Sequence, residues 1–121
     1  MLLLNNKNKA VIFYIDGVQI QYLYVQHYTI LQYCDMLGIE LPRFCFHDQL
    51  SISGNCRMCV IETSASLKPV IACATEITDG VAIFTSSLLA IVARENVLCF
   101  LLVSHPLDCP ICDQGGECEL Q

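Results

Sequence analysis

Two groups of sulfur-bearing residues carry the chemistry legible in this chain. The first is Cys45-x10-Cys56-x2-Cys59-x13-Cys73, and the second is His105-x3-Cys109-x2-Cys112-x5-Cys118. Together they use seven of the nine cysteines in 121 residues. The cysteine count is odd and no secretory signal is visible in the residues, so a disulfide scaffold is not expected. Clustered cysteines in a reducing compartment point to metal instead. A C-x2-C turn brings two thiolates to one side, where both grip one centre. Backbone N–H groups from glycine-containing turns such as the one at Gly54 can then donate to sulfur and offset its negative charge. Arg57, between the paired cysteines, adds positive charge nearby.

Four thiolates suit either a [2Fe–2S] cluster or a structural zinc. Zinc sites usually use two close pairs, whereas this set has one close pair and two singles. That three-part supply fits the broader iron–sulfur rhomb better. In the second set, Pro106 and Pro110 stiffen the loop and Gly115-Gly116 allow a tight return toward Cys118. Imidazole is an accepted ligand of iron, zinc and copper. His105 alone would read as a cap on the preceding helix. Three cysteines directly after it make ligation the better reading, with a zinc site of one histidine and three cysteines as the competitor.

These residues need a frame. Residues 11–16 and 18–24 read as a hairpin around Asp16-Gly17, with Val18, Ile20, Tyr22 and Tyr24 on one face. Thr29 to Gln32 fits a capping box, and Ile30, Cys34 and Leu37 follow at helical spacing before Gly38. Residues 39–57 lack a period and read as a functional loop. Residues 58–63 and 69–75 read as strands joined by a turn from Ser64 to Lys68, so Cys73 is expected inside a buried strand. A further short strand is expected from Val81. Ser86 or Ser87 is the expected cap of a buried helix from Leu88 to Val103. This order gives an α+β fold, in which a helix covers one face of a mixed sheet.

The stretch PRFCFHDQLSISGNCRMCVIET, followed by PVIACAT, resembles the plant-type ferredoxin-like domain at the N-terminus of the large iron–sulfur (75-kDa type) subunit of respiratory complex I. The segment HPLDCPICDQGGEC resembles that family's motif of one histidine and three cysteines, which recurs in iron-only hydrogenases and diaphorase small subunits. The likeness runs from about Val11 to Gln121. It implies a β-grasp 2Fe-2S ferredoxin-like domain over residues 10–85, with Cys45, Cys56, Cys59 and Cys73 holding one [2Fe–2S] cluster. It implies a helix and loop over residues 86–121, with His105, Cys109, Cys112 and Cys118 holding one [4Fe–4S] cluster. Electrons from NADH and flavin would pass toward ubiquinone. The implied partners are other complex I subunits, the flavin-bearing one among them. The family continues beyond this point, so a split gene with a separate chain carrying the remainder is a further expectation. The implied location is the mitochondrial matrix arm of inner-membrane complex I, or the cytoplasmic side in a bacterium.

Composition limits the alternatives. Net charge is −6 and the six basic residues are scattered, which argues against nucleic-acid binding. Apolar residues make up 55% of the chain and mean hydropathy is +0.53. The run from Leu88 to Val103 is interrupted by Arg94, Glu95 and Asn96, and is too short and too charged to span a membrane. The excess hydrophobicity therefore reads as interface. No nucleophile–base pair, phosphate loop or nucleotide fingerprint is present, so the chain is not an enzyme by itself. A zinc-stabilised interaction module is the alternative of another class. An electron-input module of an iron-only hydrogenase or NAD-linked formate dehydrogenase is the third. Cys34 and Cys99 read as small buried hydrophobes, and His27 and His47 as surface or packing residues. The acidic run of Asp108, Asp113, Glu117 and Glu119 reads as a solvated face.

Overall fold

The computed structural model describes residues 10–23 and 27–121. Strands β1 (Ala10–Ile15) and β2 (Val18–Leu23) form an antiparallel hairpin with Ile15 opposite Val18. Its two-residue turn holds both Asp16 and Gly17 at positive φ, the twist that matches right-handed strands. Tyr24 lies outside the described residues. Helix α1 (Ile30–Met36) begins with the expected capping box, in which Thr29 and Gln32 satisfy each other's backbone N–H groups. Strands β3 (Val60–Thr63), β4 (Ser66–Ile71) and β5 (Ala82–Phe84) follow, then helix α2 (Leu88–Val103). A single 3-10 turn, Cys109–Ile111, lies in the tail.

The sheet order is β2-β1-β5-β3-β4, with β1 and β5 parallel and the other neighbours antiparallel. A parallel pairing needs a long crossover, and here the crossover contains α1, the long loop and the β3–β4 hairpin. The fold is α+β, as the element pattern implied. Phe13, Ile15, Ile61 and Ile83 from the sheet meet Ile30, Leu31 and Cys34 from α1, and all are buried. Tyr33 of α1 makes edge contacts with Phe13, Tyr22 and Tyr28, which ties the hairpin to the helix.

Four expectations need correction. Strand β3 starts only at Val60, so Met58 and Cys59 stand in the turn before it. Strand β4 starts earlier and ends at Ile71, which leaves Ser64-Ala65 as the connection and places Cys73 in a turn after the strand. Pro69 is tolerated within β4 because that strand is an edge, where a missing N–H breaks no second ladder. Helix α2 has the expected bounds and Ser87 as its cap, but it is not buried. Ala90 is its one buried residue, while Leu88, Phe100 and Val103 are 78%, 81% and 85% exposed. Its apolar residues surround the whole circumference, so a helix touching the sheet on one side must show the rest outward. Cys99 is exposed on this helix, contrary to the reading as a buried hydrophobe.

Candidate metal centre

The first cysteine set is built on backbone that the sheet and α1 hold in place. Gly54 is buried with φ +64, and a Cβ there would sit 3.0 Å from Ile71 Cδ1. The chain can therefore pass close under β4 just before Cys56. Arg57 adopts φ +58, a conformation that side chains other than glycine, asparagine and aspartate rarely take. That left-handed residue reverses the chain between Cys56 and Cys59, and the Met58 N–H donates to Cys56 Sγ at 3.5 Å. Strained backbone of this kind costs about 1–3 kcal/mol and persists where the surroundings impose it.

Cys73 reaches the same place from the other side. The Ala72 N–H donates to Cys59 O at 3.0 Å, so the two turns are joined beside their sulfurs. The first turn of α1 supplies the second anchor. The Leu31 N–H donates to Ala72 O at 3.0 Å and the Ile30 N–H to Thr75 O at 2.9 Å. These helix N–H groups have no partner inside the helix, so the Cys73 turn satisfies them. Thr75 Oγ1 also donates to Ile71 O at 2.7 Å. The outer part of the loop is pinned by Arg43, which grips Asp35 of α1 with both nitrogens at 2.5 and 2.6 Å. The Arg43 guanidinium also lies 5.8 Å from the centre of the Phe46 ring.

The four thiols fall into two contacting pairs, Cys45 with Cys56 and Cys59 with Cys73. Cys59 and Cys73 are 1% exposed, whereas Cys45 and Cys56 are half-buried. Cys45 and Cys73 depart from the ordinary thiol value in opposite directions. The Ser53 hydroxyl, then the backbone at Cys56, hydrogen-bond Cys45 and pull its pKa down to about 7. Burial, followed by the hydrogen bond and the charge of Cys59, pushes Cys73 up to about 12. Cys34, which belongs to neither set, is fully buried on the core side of α1; burial and then the Asp35 charge raise it to about 11.

The second set is held differently. His105 follows α2, and its N–H donates to Leu102 O at 3.3 Å. The segment then turns on local bonds: the Ile111 N–H to Asp108 O, Cys112 N–H to Cys109 O, and Gly115 N–H to Cys112 O. A Cβ on Gly115 would lie 2.7 Å from Cys109 O and 3.1 Å from Cys112 O. No side chain fits there, so this glycine lets the chain fold back on the two cysteine carbonyls. His105, Cys109 and Cys112 are exposed and Cys118 is half-buried. Among the described residues no three His, Cys, Asp or Glu side chains converge on one point to hold a single ion. This holds for both sets, although in the first the thiols of Cys45 and Cys56, and of Cys59 and Cys73, are hydrogen-bonded in pairs. The fold does bring the two sets side by side: Cys56 and His105 line one cavity of about 200 Å³, with Phe44, Leu101 and Leu120.

The two remaining histidines have local roles. The Gln49 N–H donates to His47 Nδ1 at 3.1 Å within a turn. His27 lies 3.6 Å from Glu76 at the surface. Sequence reasoning missed Arg94 as a structural contributor and treated it only as an interruption of the apolar run. Its Nε and Nη2 donate to Val60 O at 3.0 and 2.8 Å, which ties α2 to the residue after Cys59. The available signal was the isolation of one arginine in the middle of an otherwise apolar helix face.

Family models match both segments of the chain. The family described as "2Fe-2S iron-sulfur cluster binding domain" matches residues 8–87. The chain belongs to that family. The "NADH-ubiquinone oxidoreductase-G iron-sulfur binding region" matches residues 94–121, over the second motif. Among curated relatives, the NADH-ubiquinone oxidoreductase 75 kDa subunit of Reclinomonas americana is 56% identical over 89% of this chain and 15% of its own length. The mitochondrial NADH dehydrogenase [ubiquinone] iron-sulfur protein 1 of Solanum tuberosum is 48% identical over 98% of the chain and 16% of its own length. An NADH-quinone oxidoreductase subunit of Rickettsia felis is 50% identical over 88% of the chain and 16% of its own length. The chain therefore spans 15–16% of the length of these relatives. A solved structure of an NAD+-reducing [NiFe]-hydrogenase superposes with a TM-score of 0.80 at 27% identity, over 92% of this chain and 46% of that one. Among the described residues no helix is long and apolar enough to cross a membrane.

Proposed function

We propose that this chain is the iron–sulfur electron-transfer part of a complex I large subunit, relaying electrons from NADH and flavin toward ubiquinone. The observation that carries the reading is the pairing of Cys45 with Cys56 and of Cys59 with Cys73 on a loop locked between sheet and helix. Two pairs of thiolates are what a two-iron rhomb requires, one pair for each iron. When bound, each cluster would supply one-electron chemistry. The protein's part is to hold, shelter and tune it. Cys45 and Cys56 form the outer pair, with N–H groups at Asn55 and Cys56 turned toward Cys45 sulfur. Cys59 and Cys73 form the inner pair and keep solvent away.

In this reading residues 10–85 carry the [2Fe–2S] centre as a β-grasp ferredoxin-like domain, and residues 86–121 carry the second. His105, Cys109, Cys112 and Cys118 hold one [4Fe–4S] centre there, with Gly115 folding the loop around it. A neutral imidazole in place of one thiolate removes negative charge and raises the potential of that centre. The shared cavity between Cys56 and His105 keeps the two centres adjacent, which suits a relay. The partners are the flavin-bearing subunit and other complex I subunits, in the peripheral arm on the mitochondrial matrix side or its bacterial equivalent.

The test is low-temperature EPR on the anaerobically purified protein or its complex, before and after dithionite. Two reduced signals, one persisting to moderate cold and one seen only at lower temperature, are expected, with iron and acid-labile sulfide for both. A silent spectrum with stoichiometric zinc would overturn the reading in favour of a structural module. The hydrogenase likeness supports a second assignment of the same centres, as electron input to a hydrogenase. Co-purification with a flavin-bearing and a quinone-reducing subunit is expected; a hydrogenase catalytic subunit instead would move the assignment there.

A further inference from the structure

Arg94 stands where the two segments meet. It projects from the middle of α2, is half-buried, and closes on Val60 O with Nε at 3.0 Å and Nη2 at 2.8 Å. Val60 follows Cys59 directly, and Cys59 O accepts the Ala72 N–H one residue before Cys73. One guanidinium therefore braces the short backbone network that carries both inner cysteines. Among the described residues its contact is a neutral carbonyl, not a carboxylate at ion-pair distance. Its charge is thus not cancelled by its own partner.

Burying part of a guanidinium disfavours the charged form, and that cost falls in the middle of a mostly apolar helix. A centre held by four thiolates carries net negative charge, and taking up one electron adds another negative charge. A fixed cation beside the inner pair offsets that addition, and partial burial limits screening by solvent and salt.

We infer that Arg94 is a positioning residue for the first centre: from α2 it clamps the Cys59–Val60 backbone and holds a positive charge beside the inner cysteine pair, favouring the reduced state. The inference rests on the reading that Cys45, Cys56, Cys59 and Cys73 hold a [2Fe–2S] cluster.

The experiment is an EPR-monitored redox titration of the protein in its loaded, assembled form, for wild type, R94K and R94Q, with iron and sulfide analysis of each. The midpoint potential of the [2Fe–2S] signal is expected to fall in R94Q and to fall less in R94K, which keeps the charge at shorter reach. The [4Fe–4S] midpoint is expected to stay in place. If R94Q does not hold the first centre, R94K decides: a lowered midpoint supports the inference and an unchanged one overturns it. Loss of the first centre alone in both variants supports the clamp. Loss of both centres makes Arg94 a general strut and overturns the inference. Equal midpoints in all three proteins, or R94K falling as far as R94Q, also overturn it. A wild type with no [2Fe–2S] signal would instead break the functional reading beneath it.

Discussion

The two candidate ligand sets stand on very different supports. Cys59 and Cys73 are 1% exposed and stand on turns bonded to each other and to the start of α1. Cys109 and Cys112 are exposed on a segment whose bonds run mainly between near neighbours in sequence. Local hydrogen bonds to exposed backbone stabilise little, because water offers the same partners. The first set is thus braced by contacts remote in the chain, although neither set closes on a single ion among the described residues. The second rests on its own turns, so ligation would shape it more, as metal-coupled folding allows. The contrast is between one set braced by the fold and one braced mainly by its neighbours in sequence.

Removing ligands should break this contrast most sharply. In Cys73→Ser the first centre is lost and the sheet melts at lower temperature, because the buried turn loses the iron that would tie it to Cys59. In Cys112→Ser the second centre is lost while the melting of the sheet hardly moves. Iron and sulfide analysis with far-UV circular dichroism reads both, and equal loss of melting temperature in the two variants would contradict the contrast. Chelator applied to the loaded protein tests the same point through rates. The [4Fe–4S] signal should disappear well before the [2Fe–2S] signal.

A matched pair of glycine variants sharpens it further. In Gly115→Ala the new methyl meets the Cys109 carbonyl at 2.7 Å, a backbone atom that cannot move aside cheaply. Strain of about 1–3 kcal/mol is expected there, with the [4Fe–4S] centre lost and the [2Fe–2S] centre kept. In Gly54→Ala the methyl meets only the tip of Ile71 at 3.0 Å, and the main penalty is the left-handed φ of +64. That costs about 1–2 kcal/mol and should weaken, not abolish, the first centre. EPR spin counts decide both cases.

Smaller effects concern the thiols themselves. In the cluster-free chain at about pH 8, Cys45 should alkylate first, since its pKa lies near 7, and Cys73 should lag, at about 12. Mass spectrometry of labelled peptides reads the order, and a fast Cys73 would contradict the buried turn. Cys34→Ala should leave both centres intact and cost about 1–2 kcal/mol for a small cavity. The raised pKa of Cys34 also has a defined sign. Its neutral thiol favours the fold fully below the ordinary value of 9.0, and that preference is lost as pH rises toward about 11. Urea unfolding of the variant should therefore show a flatter decline across pH 9–11 than the parent chain.

Much of the frame was legible from residue pattern alone. The Asp16-Gly17 turn, the Thr29–Gln32 capping box and the Ser87 cap of α2 are local devices, specified by side chains within a few residues. The ligand candidates were equally legible, because spacing in a C-x2-C turn is itself a local property. Where the reading failed, the deciding contacts were remote. Cys73 left its expected strand because Ala72 is held by Cys59 and Leu31, residues 13 and 41 positions away in the chain. Hydropathy put α2 inside, yet the sheet has room for only one side of it, and a helix apolar all round cannot bury more than its neighbours cover. Arg94 looked like an interruption and proved to be an anchor, because its acceptor lies 34 residues upstream. The sequence by itself determined the ligand candidates and the turns that present them, since those depend on neighbouring residues. Only the tertiary structure decided which sulfurs are paired, buried and braced, since those depend on backbone carbonyls and strands that no local pattern encodes.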